Sequence, residues 1–78
     1  MIKVYSTRTC PWCTKTKEYL ESRKIPFENV DVSLNREAAM EMVRKTGQRG
    51  VPVIQIGEKF IVGFDPKAID EEIARQEQ

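Results

Sequence analysis

The chain has 78 residues, 13 Lys and Arg against 12 Asp and Glu, no histidine and a formal net charge of +1. That length sets the expectation of one small domain, residues 1–78, with a modest core. The near-neutral charge carries no electrostatic footprint for nucleic acid, no stretch approaches the ~20 apolar residues that cross a bilayer, and two cysteines are too few for a disulfide framework.

Ile2-Lys3-Val4-Tyr5 alternates and reads as a first strand. No apolar signal-peptide core precedes it, so a cytoplasmic location is the expectation. Thr9-Cys10-Pro11-Trp12-Cys13 follows and holds both cysteines of the chain. Pro11 suits the first position of a helix running to about Arg23, with Cys13, Thr16 and Leu20 on one face. Pro26 ends that segment, and Phe27 to Val32 reads as a second strand. Ser33 or Asn35 can cap a second helix through Lys45, with Ala39, Met40 and Val43 inward and Gly47 as its stop. Val53 to Ile56 and Phe60 to Val62 flank Gly57-Glu58-Lys59, a hairpin signal. Asp65-Pro66 is a cap followed by a first-turn proline, and opens a third helix to about Arg75 with Ile69 and Ile73 one turn apart. The order β-α-β-α-β-β-α predicts an α/β fold, a four-stranded mixed sheet covered by three helices.

The cysteine spacing names a reaction. Three residues of helix raise the chain ~4.5 Å and bring the two Cα atoms roughly 5 Å apart, within disulfide range. Cys10 at the helix start faces free N–H groups and the positive end of the dipole, which favour thiolate over thiol. A free cysteine with pKa ~8.5 is a few per cent ionised at neutral pH. A drop of two or three units gives about ten- to thirty-fold more attacking species, partly offset by lower nucleophilicity. Cys13, one turn deeper, suits the resolving thiol. The other readings are weaker. A crosslink closing so short a loop removes only ~2 kcal/mol of unfolded-chain entropy, against ~3 for fifteen residues. A closed zinc site needs four Cys or His ligands, and one chain supplies two. Two coincidental core cysteines remain the third reading.

With these motifs in order, the chain resembles the glutaredoxins, a branch of the thioredoxin-fold superfamily. The resemblance rests on Cys10-Pro11-Trp12-Cys13 after the first strand, Val51-Pro52 before the third and Gly63-Phe64-Asp65 before the last helix. It implies the strand order 2-1-3-4, a cis bond between Val51 and Pro52, and a Val51 backbone that pairs with a bound thiol substrate. The alternative for Pro52 is a trans proline opening an edge strand. The resemblance implies a dithiol oxidoreductase in which Cys10 attacks a disulfide and Cys13 resolves it. No cofactor is required for the exchange, and the expected partners are disulfide-containing proteins met by a monomer.

The resemblance departs from its pattern at three places. Many glutathione-linked members have a lysine where this chain has Thr7; Arg8 is the neighbouring cation, either a glutathione contact or a solvated loop charge. Val62 replaces a glycine and Pro66 an aspartate. Asp65 is either a contact for the glutathione amino group or a helix cap. Gly63-Phe64-Asp65-Pro66 is closer to the run of redoxins that supply ribonucleotide reductase and draw electrons from a flavin-linked thioredoxin reductase. The reductant therefore stays open between glutathione and that flavoenzyme. Trp12 is expected to be an exposed apolar face for docking, with packing against the sheet edge as its alternative. A different class of function also follows from the resemblance, a carrier in which two chains share a [2Fe–2S] cluster through Cys10; Pro11 tends to disfavour it.

Overall fold

The computed structural model describes residues 2–48 and 50–76. Its elements are β1 (Ile2–Ser6), α1 (Pro11–Ser22), β2 (Glu28–Asp31), α2 (Arg36–Thr46), β3 (Val53–Ile56), β4 (Lys59–Val62) and α3 (Pro66–Gln76). Their order and type match the sequence expectation, with shifts of one or two residues at the ends. The sheet runs β2-β1-β3-β4. β1 and β2 are parallel, and the other two pairings are antiparallel.

Period-two alternation divides the strand side chains between two faces. Val4 stands opposite Ile54, and Ile54 opposite Ile61. These residues join Leu20 of α1, Ile69 of α3 and Ile56 in one buried cluster. One residue along, Tyr5 stands opposite Val30 and Val53. Tyr5 and Val53 form a second, smaller cluster with Met42 of α2. So α1 and α3 cover one face of the sheet, and α2 covers the other.

The caps follow local chemistry. Asn35, the second of the two expected candidates, caps α2: its side chain accepts a hydrogen bond from the Ala38 N–H at 3.0 Å. Gly47 ends α2 with φ 75°, a left-handed conformation that glycine adopts without a Cβ penalty. The Asp65 carboxylate accepts from the Ala68 N–H at 3.1 Å at the start of α3.

The inward face of α2 differs from the expectation of Ala39, Met40 and Val43. Met42 is the buried residue, Met40 is 59% exposed, and Ala39 and Val43 are half-buried. Ala38, Ala39, Met40, Met42 and Val43 make an almost continuous apolar run. Periodicity alone leaves the rotation of such a helix undecided. The packing settles it: Ala38 and Met42, four residues apart, meet the Tyr5–Val53 cluster.

Candidate active site

β1 ends at Ser6 and α1 starts at Pro11, so the loop between them delivers Cys10 to the helix N-terminus. Cys10 is the N-cap residue, with extended backbone (φ −110°, ψ 103°). Its Sγ accepts a hydrogen bond from the Cys13 N–H at 3.1 Å. A sulfur thus takes the place usually filled by a serine or aspartate oxygen, and satisfies one of the free N–H groups of the first turn. When the sulfur is a thiolate, the same N–H and the helix dipole hold the negative charge. Pro11 fills the first helical position and lacks an N–H to leave unpaired.

Cys10 and Cys13 form a disulfide with Cα atoms 5.2 Å apart. The two sulfurs differ in access: Cys10 is partly exposed, whereas Cys13 is fully buried beneath the first turn. This asymmetry suits an outer attacking group and an inner resolving group.

Two loops from the far half of the chain close over the pair. The Val51–Pro52 peptide bond is cis, and the Val51 carbonyl oxygen lies 3.9 Å from Cys10 Sγ. In the disulfide this is a contact, since neither cysteine sulfur carries a proton; a Cys10 thiol would be able to donate there. Gly63 N–H donates to the Pro52 carbonyl at 2.8 Å, which ties the β4–α3 loop to the proline loop. Gly63 has φ 84°, so a side chain at that position is strained. The turn it makes sends Phe64 toward Trp12, with ring centroids 6.2 Å apart. Trp12 is 56% exposed beside the dithiol, and the Lys15 ammonium lies 5.0 Å from its ring centre.

Most of the residues singled out in the sequence therefore converge: Cys10, Pro11, Trp12 and Cys13 from α1, Val51 and Pro52 before β3, Gly63 and Phe64 after β4. Asp65 adjoins them, but its carboxylate is engaged at the start of α3. Arg8 points elsewhere. Its guanidinium is exposed and lies 3.8 Å from the Asp31 carboxylate at the end of β2. A hydrogen bond from the Ser33 hydroxyl holds the Asp31 carboxyl below its ordinary range, and Arg8 adds a smaller pull in the same direction.

Sequence reasoning overlooked Tyr19 and Asp70 as neighbours of this surface. The Tyr19 ring meets Phe64 edge-on at 5.9 Å, and its hydroxyl donates to Asp70 at 2.6 Å. That hydrogen bond raises the Tyr19 phenol above the ordinary tyrosine value. Tyr19 stands seven residues after Trp12, two helical turns, which was the available signal; nothing local brings Asp70 to it. A groove of about 530 Å³ beside α2, lined by residues such as Val32, Arg36, Met40 and Val43, is separate from the dithiol.

Comparison with known proteins identifies the family. Residues 2–61 match the family model described as Glutaredoxin. A glutaredoxin-like 8.6 kDa protein of the rubredoxin operon of Clostridium pasteurianum is 51% identical over 96% of this chain and 100% of its own length. The glutaredoxin-like protein NrdH of Salmonella typhimurium is 38% identical over 88% of this chain and 84% of its own. The solved structure of NrdH-redoxin from Escherichia coli, a glutaredoxin-like protein with a thioredoxin-like activity profile, superposes with a TM-score of 0.79. It is 34% identical and covers 90% of this chain and 91% of that one.

Proposed function

The chain belongs to the glutaredoxin family and has the thiol–disulfide oxidoreductase pair at Cys10 and Cys13, and on that premise we propose that Cys10 is its attacking thiolate and a thioredoxin-reductase-type flavoenzyme its source of electrons. The observation that carries the first part is the capping geometry. Cys10 Sγ accepts the Cys13 N–H at 3.1 Å at the mouth of α1, and Cys13 is buried behind it.

The exchange proceeds in two displacements. The Cys10 thiolate attacks one sulfur of a target disulfide, the target S–S bond breaks, and the departing thiolate takes a proton from solvent. A mixed disulfide now joins Cys10 to the target. Cys13 gives up its proton and attacks Cys10 Sγ, which releases the second target thiol and leaves the Cys10–Cys13 disulfide. Two electrons and two protons have passed to the target. On this reading the Val51 backbone, whose carbonyl stands beside Cys10, pairs with an extended segment that presents the target sulfur, and Trp12 and Phe64 offer apolar contact beside it. Recognition through main chain and a flat aromatic surface suits protein disulfides of several sequences.

The choice of reductant rests on what the neighbouring charges already do. A glutathione tripeptide asks for cations at its two carboxylates and an anion at its amino group. Here Arg8 faces Asp31, Lys15 lies over Trp12, and the Asp65 carboxylate caps α3. The likeness to NrdH-type proteins supports the same choice, as it supports ribonucleotide reductase among the targets. The reading further takes the working form as a monomer in the cytoplasm. The shared-cluster carrier gains no support from these relatives or from the contacts around Cys10.

The test is recharging of the oxidised protein, with glutathione in one vessel and NADPH plus thioredoxin reductase in the other. Faster reduction by the flavoenzyme is expected, and a preference for glutathione overturns the assignment of reductant. Cys10→Ser abolishes disulfide reduction on this reading, while Cys13→Ser accumulates a mixed disulfide with the target. Retained turnover in Cys10→Ser overturns the assignment of the nucleophile.

A further inference from the structure

A continuous series of contacts leads from the dithiol along α1 to α3. Trp12 stands between the two cysteines and faces Phe64 at 6.2 Å. Phe64 is also touched edge-on by Tyr19 at 5.9 Å, with the planes at 72°. The Tyr19 hydroxyl donates to Asp70 Oδ1 at 2.6 Å and accepts from Arg23 Nη1 at 2.9 Å. Arg23 Nη1 in turn lies 3.1 Å from Asp70 Oδ1, and its guanidinium stands 5.6 Å from the Tyr19 ring centre. Tyr19 and Arg23 belong to α1 and its C-cap, Asp70 is on α3, and Phe64 is in the loop that precedes α3.

Phe64 and Trp12 are not part of either buried core cluster. Core packing therefore does not fix them, and a partner that docks on them has to freeze whatever rotamer freedom remains. Tyr19 packs against the rim of the core cluster, and the polar triad adds a second restraint at its hydroxyl. It ties the C-terminal half of α1 to α3 and sets the Tyr19 ring against Phe64, which in turn backs Trp12.

We propose that Tyr19, Arg23 and Asp70 act as a clasp that pre-organises the Phe64–Trp12 surface for docking apolar protein segments, so that Tyr19 and Asp70 are positioning residues for protein disulfides. The proposal rests on the oxidoreductase reading of the dithiol and adds a determinant of substrate class. None of the three residues contacts a sulfur, so the clasp governs the binding of large substrates and leaves the exchange step alone. A small disulfide that reaches Cys10 without lying on the rings is indifferent to it.

The test compares turnover of insulin, a protein disulfide, with dithiothreitol as electron donor, and oxidation of the pre-reduced, donor-free protein by the small disulfide 5,5′-dithiobis(2-nitrobenzoate), which dithiothreitol itself reduces directly. Tyr19→Phe keeps the ring and removes both hydrogen bonds of the hydroxyl. Asp70→Ala removes the acceptor by an independent route. Each variant is expected to raise KM for insulin about three- to tenfold, a modest effect because the lost hydrogen bonds are partly exposed and reach the docking surface only through the rings. The kcat for insulin and the rate with the small disulfide stay within error. Asp70→Asn retains an acceptor oxygen and recovers most of the insulin KM. Trp12 fluorescence anisotropy drops in Tyr19→Phe and Asp70→Ala. An unchanged insulin KM in both variants overturns the clasp, and so does a parallel loss toward both substrates. Failure of the unaltered protein on both substrates overturns the oxidoreductase reading instead.

Discussion

The two faces of the sheet are built differently. Among the described residues, the buried apolar cluster under α1 and α3 has six members, including Val4, Leu20, Ile54 and Ile69 at 0% exposure. Under α2 lie three, one of them a tyrosine whose hydroxyl reaches Gln55 at 3.1 Å. The helix that carries the dithiol is therefore seated on the heavier half of the core. A thiol that must be presented at a fixed distance from the Val51 carbonyl needs its helix held firmly, because a small misplacement of a reacting group is costly. The α2 face carries no reactive thiol to position and shows exposed Met40 and half-buried Ala39 and Val43.

The most direct way to break this comparison is to hollow out each half in turn. Leu20→Ala removes a fully buried side chain beneath α1 and is expected to cost about 3–4 kcal/mol. Met42→Ala under α2 is expected to cost about 2 kcal/mol, because the flexible side chain leaves a site that collapses more readily. Denaturant melts of the two variants measure this, and an equal or reversed order defeats the claim that the dithiol face is the better packed.

Helix caps offer a finer comparison, one on each side. Asn35→Ala at α2 and Asp65→Ala at α3 are each expected to lose about 1 kcal/mol. Asp65→Ala should also leave reduction by thioredoxin reductase unchanged once the lower stability is allowed for. A selective loss of recharging by glutathione would instead give Asp65 a ligand role.

The smallest effect separates the two tyrosines, one per face. Both phenols are raised above the ordinary value, Tyr5 chiefly by burial and Tyr19 chiefly by its hydrogen bond to Asp70. A raised pKa in the folded state means that the neutral phenol stabilises the fold. That contribution is complete below the unfolded value, near 10, and fades as pH rises through the folded values. Asp70→Ala is expected to bring the Tyr19 titration down while Tyr5 stays in place. Ultraviolet absorbance of the phenolates reads both, and a shift in Tyr5 alone contradicts these two causes.

Much of this site was written in short stretches of chain. The C-x-x-C run after a strand, Pro11 at the helix start, the Asp65-Pro66 opening of α3 and the Gly57 hairpin each depend on residues within a turn or two of one another. Backbone dihedrals, caps and the reach of a helix N–H are fixed at that range, so the order of elements and the capped Cys10 sulfur followed from sequence alone. The folded protein decided the rest. Which side of α2 faces inward turned on the space left around Tyr5 and Val53, since an almost unbroken apolar run fits several rotations. The approach of the Val51 carbonyl to Cys10 spans 41 residues and was implied only by the family resemblance, while the Tyr19–Asp70 hydrogen bond spans 51 and was implied by nothing in the sequence. Contacts of that reach depend on strand register and on how helices seat against the sheet, and neither is encoded by any local pattern.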